Sequence, residues 1–208
     1  AHLARIISES CLVLGDVDKA RKYYELSGSG ADVGNNRSDW FYSGSMLYAI
    51  DDYEGAIRSY SNMSDRTDSL GQIANYHLGY SYIQTKNKVA ALDAFKDAAN
   101  VLHDPGLTED AFFNWAKLAF DLNGDTSVFN AYIDAYPAKE QEQRINSYIA
   151  VAALHDRDYE AAVNAYDKID ELDDDMVLNY MKANYLRANQ LVKNGSYRLA
   201  IPCLKAAA

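Results

Sequence analysis

A fixed spacing between small and large residues recurs along the chain and constrains its fold more than any other feature. Gly79 lies twelve residues before Ala91, and Phe95 follows four residues later. This spacing occurs six times, while the distance from one occurrence to the next varies between 34 and 38 residues. A constant residue spacing within each unit, with insertions only between units, indicates a tandem repeat. The six sets are Ser8, Ala20 and Tyr24; Gly44, Ala56 and Tyr60; Gly79, Ala91 and Phe95; Ala116, Val128 and Tyr132; Ala150, Ala162 and Tyr166; Ala188, Ala200 and Leu204.

Each unit has the pattern of two amphipathic helices around a short polar turn, as in residues 75–95 around Lys86 and Asn87. Gly79 falls in the middle of the first of these helices, where glycine costs about 1 kcal/mol relative to alanine. A close approach of the two helix backbones explains this glycine, because a larger side chain there would overpack the contact between the two helices. By contrast, Gly28 and Gly30 fall between units, and we expect them to tolerate substitution.

The third and second units carry the pattern of a known family. The third has Leu78-Gly79-x2-Tyr82 and then Ala91-x3-Phe95. The second has Trp40, Gly44, Ala56 and Tyr60, but Ser43 and Leu47 replace the leucine and tyrosine of the pattern. These units resemble the tetratricopeptide repeat, a helix–turn–helix of about 34 residues. The fourth unit keeps Phe112 and ends at Pro137, whereas the first, fifth and sixth are degenerate.

The resemblance implies an all-α fold, a right-handed superhelical solenoid of about six helix–turn–helix repeats. The expected units are about 1–36, 37–71, 72–108, 109–142, 143–180 and 181–208, which together form a single array. The chain begins and ends inside helical patterns, so we expect it to be a segment of a longer protein.

The net charge of −10 argues against nucleic-acid binding, which requires a basic patch. Nine acidic residues and only two basic ones lie between Asp156 and Asp175. We interpret this segment as a solvated helix face with a helix N-terminus at "DDDM", residues 173–176. A basic partner or a Ca²⁺ site is the alternative.

No catalytic or metal-binding constellation is visible, so we predict no enzymatic activity, no metal and no cofactor. The four histidines are scattered over three units, and Cys11 and Cys203 lie in the first and last units, too far apart to pair. Cys11 is expected to be a buried small hydrophobe. We interpret "GSGADVG", residues 28–34, as a linker, and "DLNGD", residues 121–125, as a turn that lacks the further ligands of a calcium loop.

In the tetratricopeptide family, the first helices of the repeats line a concave groove that binds peptides or protein segments. Helical spacing maps this inner stripe onto aromatic and polar residues, and tyrosine is a frequent anchor of interfaces. The alternative is that these aromatics pack between repeats. The groove residues expected to face a partner are Phe41, Tyr42, Tyr48, Tyr76, Tyr80, Phe113, Lys117, Phe120, Tyr148 and Tyr185.

Some members of the family clamp a partner's terminal carboxylate with Lys, Arg and Asn. That clamp is not expected here, because Arg5 alone is compatible with it, whereas Glu9, Tyr42, Ile73 and His77 occupy other positions of the clamp.

The resemblance therefore implies a non-catalytic scaffold that binds a protein or peptide segment. Three segments, "YHLGYSYI", "FNWAKLAFDLNG" and "YIDAYP", resemble repeats of bacterial cell-envelope proteins, which favours the periplasm or envelope over the cytoplasm. A sensor or regulatory segment of a larger signalling protein or enzyme, and a glycan-binding groove, remain alternatives.

Overall fold

A computed structural model describes residues 2–28, 36–125 and 127–208 of the chain. Twelve α-helices and no strand occur in these residues. No helix among them is both long and apolar enough to cross a membrane. The helices are α1 (His2–Val13), α2 (Val17–Leu26), α3 (Arg37–Ala49), α4 (Tyr53–Ser61), α5 (Ser69–Gln84), α6 (Lys88–Asn100), α7 (Pro105–Asn123), α8 (Ser127–Ala135), α9 (Lys139–His155), α10 (Tyr159–Tyr166), α11 (Asp174–Lys193) and α12 (Tyr197–Ala206).

One pair of consecutive helices corresponds to each of the six units expected from the sequence, but α5, α7, α9 and α11 begin before the residues 72, 109, 143 and 181 at which their units were expected to start. We call the odd-numbered helices the first helices and the even-numbered ones the second helices. Each of α3, α5 and α11 packs against the second helix of its own repeat and against that of the preceding one. The fold is therefore an all-α solenoid of helix–turn–helix repeats, as the sequence predicts.

The chain divides into two compact units, Ala1–Val128 (unit 1) and Phe129–Ala208 (unit 2). The core of unit 1 runs through the repeat joints as a series of hydrophobic clusters. Cys11 is buried in one of them against Ala20 and Met46, which confirms the interpretation of this cysteine as a small hydrophobe. Unit 2 has its own clusters, formed by α9, α10 and α11 and by α11 with α12.

Local sequence explains where the helices begin. In the described residues, Asp or Asn side chains accept a hydrogen bond from a backbone N–H of the first turn in eight helices, and such a cap contributes about 1 kcal/mol. Asp173 caps α11 through the N–H of Met176 at 2.7 Å, which confirms that the "DDDM" segment is a helix N-terminus. The eight capping residues are Asp16, Asn36, Asp52, Asp68, Asn87, Asp104, Asp158 and Asp173.

A residue with left-handed backbone closes the turn inside each repeat. Such a conformation costs a non-glycine residue about 1–2 kcal/mol, yet three of the six positions are not glycine. Gly124, in the segment "DLNGD", is the left-handed residue that ends α7, so this segment is a turn as expected. The six residues are Gly15, Asp51, Lys86, Gly124, Arg157 and Gly195.

The glycine at the centre of α5 lies where the sequence analysis places a close helix contact. A Cβ atom on Gly79 would lie 2.7 Å from ring carbons of Phe95, a side chain that is itself buried. The expectation that Gly28 tolerates substitution is wrong, because its φ of 99° is unfavourable for any residue with a side chain. Gly30, and the linker after Gly28, lie outside the described residues.

We predict that Gly79→Ala destabilises the protein by about 1–3 kcal/mol, because the buried ring of Phe95 must move. The matched control is Gly106→Ala in the first turn of α7, where the added Cβ meets nothing closer than 3.5 Å. This control should be neutral or stabilising by up to about 1 kcal/mol. Urea unfolding measures both; equal destabilisation by the two changes would contradict the close-approach explanation.

Candidate functional site

The first helices of unit 1 lie on its inner side. Each of α1, α3 and α5 contacts the next first helix along the chain. Among the described residues of unit 1, no comparable contact joins α2 to α4 or α4 to α6. Because the first helices approach one another more closely than the second helices, unit 1 curves towards them, and their free faces form a concave surface.

Tyr48 and His77 join α3 to α5 on this surface. Their rings are stacked, with centroids 4.2 Å apart and an interplanar angle of 8°. The Nδ1 atom of His77 is hydrogen-bonded to the Tyr60 hydroxyl at 2.8 Å, and that hydroxyl is 3.0 Å from Ser45 Oγ. Since Tyr60 belongs to α4 and is fully buried, His77 connects the inner surface to the core of the repeat joint.

A second group joins α5 to α7 around the carboxylate of Asp110. The hydroxyl of Tyr76 donates to Asp110 Oδ2 at 2.6 Å, and that of Tyr80 donates to the same atom at 3.3 Å. Asn114 Nδ2 donates to it at 3.0 Å. The rings of Tyr76 and Tyr80 lie edge to face, 5.0 Å apart, and both also contact the ring of Phe95. This arrangement holds the two tyrosines in fixed orientations before any partner binds.

Burial determines the ionisation of this surface. Burial lowers the pKa of His77 to about 4, so its imidazole is neutral at pH 7. Burial, followed by the hydrogen bond to Asp110, raises the pKa of Tyr76. Burial also raises the pKa values of Tyr48 and Tyr60. These tyrosines are therefore neutral hydroxyl groups at physiological pH.

The residues expected to line the groove differ in exposure. Phe41 and Phe113 are only 8% and 4% exposed, so they support the core and offer almost no area to a partner. Tyr185 is well exposed. Both Tyr185 and Tyr148 belong to unit 2 and so do not form part of the surface of unit 1. The half-buried residues are Tyr42, Tyr48, Tyr76, Tyr80, Lys117, Phe120 and Tyr148.

Sequence reasoning missed Asp110, the acceptor on which three side chains converge. Its position four residues before Asn114, on the same face of α7, is the signal that could have found it. Arg5, the single residue compatible with a carboxylate clamp, forms ion pairs with Glu9 and Asp39 instead. Its guanidinium group is thus already engaged within the chain.

The acidic segment 156–175 is largely engaged in local contacts. Asp158 and Asp173 cap helices, and Asp167 accepts a hydrogen bond from the hydroxyl of Tyr180 at 2.6 Å. Glu160 pairs with Arg187, and Asp170 pairs with Lys139. In the part of the chain that the structure describes, no group of three or more potential metal ligands occurs.

We predict that His77 makes stability depend on pH. Its pKa is about 4 in the folded protein and about 6.5 in an unfolded chain, so below pH 6.5 the unfolded state binds more protons. Stability should therefore fall as the pH drops from about 6.5 to about 4, by at most about 3 kcal/mol. His77→Gln should flatten the curve in this window, as followed by urea unfolding at several pH values.

His103→Gln, at an exposed histidine, is the matched control and should leave the curve unchanged. A wild-type slope that persists in the His77 variant would show that other groups cause it.

Comparison with known proteins agrees with this geometry. Residues 40–105, which span α3 to the start of α7, match the family model of the tetratricopeptide repeat. No curated protein matches the chain at a significant level. Tetratricopeptide repeats are generally protein-interaction scaffolds and are typically non-catalytic. The family match identifies residues 40–105 as tetratricopeptide repeats, and paired helices of the same kind lie on either side of them.

Proposed function

We propose that the chain is a non-catalytic scaffold and that the concave surface of unit 1 binds an extended or helical segment of a protein partner. The observation that carries this proposal is the row of Tyr48, His77, Tyr76 and Tyr80 across α3 and α5. Contacts with α4 and α7 fix these side chains in place. We call these four residues the aromatic row.

The chemistry of the aromatic row suits a protein segment. Tyrosine offers a large apolar area and a polar tip at a low cost in side-chain entropy, which makes it a frequent binding hot spot. Preorganisation further reduces the entropy that these side chains lose when a partner binds, because their hydrogen bonds already hold the rings in place. The row offers π-faces and neutral hydroxyls, so we propose a partner segment that contributes apolar side chains and backbone amides.

Residues away from the row complete the proposed surface. Lys117 lies over the ring of Phe113, 5.7 Å from its centroid, and adds a cation on α7. Phe41 and Phe113, expected from the sequence to be anchors, are left out because they are buried. A role in bacterial envelope assembly remains a proposal supported by the resemblance of three sequence segments.

We predict that Tyr80→Ala weakens binding of a partner, recovered by pull-down or selected from a displayed peptide library, by about 2 kcal/mol or more. Tyr80→Phe, which keeps the ring but removes the hydroxyl bonded to Asp110, should cost less. Calorimetric titration measures both, and thermal unfolding confirms that each variant is folded.

Replacement of Asp173, Asp174 and Asp175 by Asn tests the acidic segment as the alternative site. It should change the salt dependence of association more than the residence time. If the triple variant abolishes binding while Tyr80→Ala leaves it intact, the concave surface is not the site.

A further inference from the structure

A cleft of about 560 Å³ lies between the first and second repeats, away from the aromatic row. One face each of α2, α3 and α4 lines it, and on α3 the lining residues Trp40, Ser43 and Leu47 recur at helical spacing. Its volume lies within the range of sites that bind small organic ligands.

Two departures from the repeat pattern accompany this cleft. The repeat register, shifted by 35 residues, places Ser43 at the position of Leu78 and Ser59 at that of Ala94. At the next joint, Leu78 and Ala94 are buried in the hydrophobic cluster that contains Tyr60. Serines cannot fill the same apolar volume. Consistent with this, Tyr24 remains half-buried, whereas its counterparts Tyr60 and Phe95 are fully enclosed.

The floor of the cleft is a chain of hydroxyl groups. Tyr24 and Ser43 are 3.0 Å apart at their oxygens, and Ser43 and Ser59 are 3.2 Å apart. Ser43 and Ser59 are more than nine-tenths buried. Three hydroxyls hold three donors, and the two bonds between them use two. Within residues 2–28 and 36–125 these oxygens have no further partner, so one donor and several lone pairs remain for a ligand.

The rim carries two cations, Arg21 and Arg58, and two carboxylates, Glu25 and Asp52. Arg21 pairs with Glu25 at 3.4 Å, and Asp52 accepts the N–H of Gly55 at 2.9 Å. Arg58 also lines the cleft, and neither Arg58 nor Asp52 makes an ion pair with any residue that the structure describes. A guanidinium recognises a carboxylate through two parallel hydrogen bonds. Arg58 is therefore the rim cation that is available to an anionic group of a ligand.

We propose that this cleft binds a small aromatic carboxylate. Its carboxylate pairs with Arg58, its ring lies against the half-buried indole of Trp40 and the side chain of Leu47, and a ring hydroxyl bonds to the serine floor. This site is distinct from the concave protein-binding surface and does not depend on it.

The probes are 4-hydroxyphenylacetate and its neutral counterpart 4-hydroxyphenylacetamide, titrated by calorimetry and by NMR of the two indole N–H groups. The acid should bind saturably, shift the resonance of Trp40 but not that of Trp115, and bind at least about tenfold more tightly than the amide. No saturable binding of the acid, or equal affinities for acid and amide, would overturn the proposal.

Two variants locate the site, with a third as control. Arg58→Gln should remove the preference for the acid, while the matched rim change Arg21→Gln should lower affinity by less than about threefold, since Arg21 is already paired. Ser43→Leu should abolish binding without lowering the unfolding temperature, because it restores the residue found at Leu78. Unchanged binding in both Arg58→Gln and Ser43→Leu would show that the acid binds elsewhere.

Discussion

The close contact between a small residue on the first helix and an aromatic ring on the second is the constraint on which the rest of the structure depends. A Cβ atom at Gly44 would lie 2.7 Å from the ring of Tyr60, as one at Gly79 would from that of Phe95. Both rings also reach the following repeat. Tyr60 packs with Ala74 and Leu78 of α5, and Phe95 with Ala111 of α7. One contact thus closes a repeat and attaches it to the next.

The same contact supports the candidate protein-binding surface. The hydroxyl of the buried Tyr60 is bonded to His77, which in turn stacks on Tyr48. Phe95 similarly supports Tyr76 and Tyr80 from beneath. The aromatic row therefore rests on the repeat joints, and its rigidity follows from core packing. A solenoid is stabilised by contacts between neighbouring repeats. The aromatic row spans two repeat joints, so its geometry depends on the packing of both.

The joint between the first two repeats shows what happens when the apolar pattern changes. Ser43 and Ser59 line a polar cleft at this joint, whereas Leu78 and Ala94, at the corresponding positions of the next joint, are buried in a hydrophobic cluster. Loss of buried apolar volume costs stability. Here the apolar volume is lost at a cleft lined by hydroxyl groups, an indole and an arginine. This coincidence is the reason for assigning a ligand to the cleft.

The sequence by itself determined the helix pairs, their turns and caps, and the small residue at each helix contact, because these depend on local chemistry and on a fixed spacing. Only the tertiary structure decided which inner residues are available. Phe41 and Tyr48 lie seven residues apart on one face of α3, yet Phe41 is buried and Tyr48 is only half-buried. The two helices of the repeat are antiparallel, so Phe41 faces the end of α4 at Tyr60 and Met63, whereas Tyr48 meets Tyr53 and His77. Helical periodicity gives the face a residue occupies, but the neighbour opposite it depends on how helices pack along their whole length.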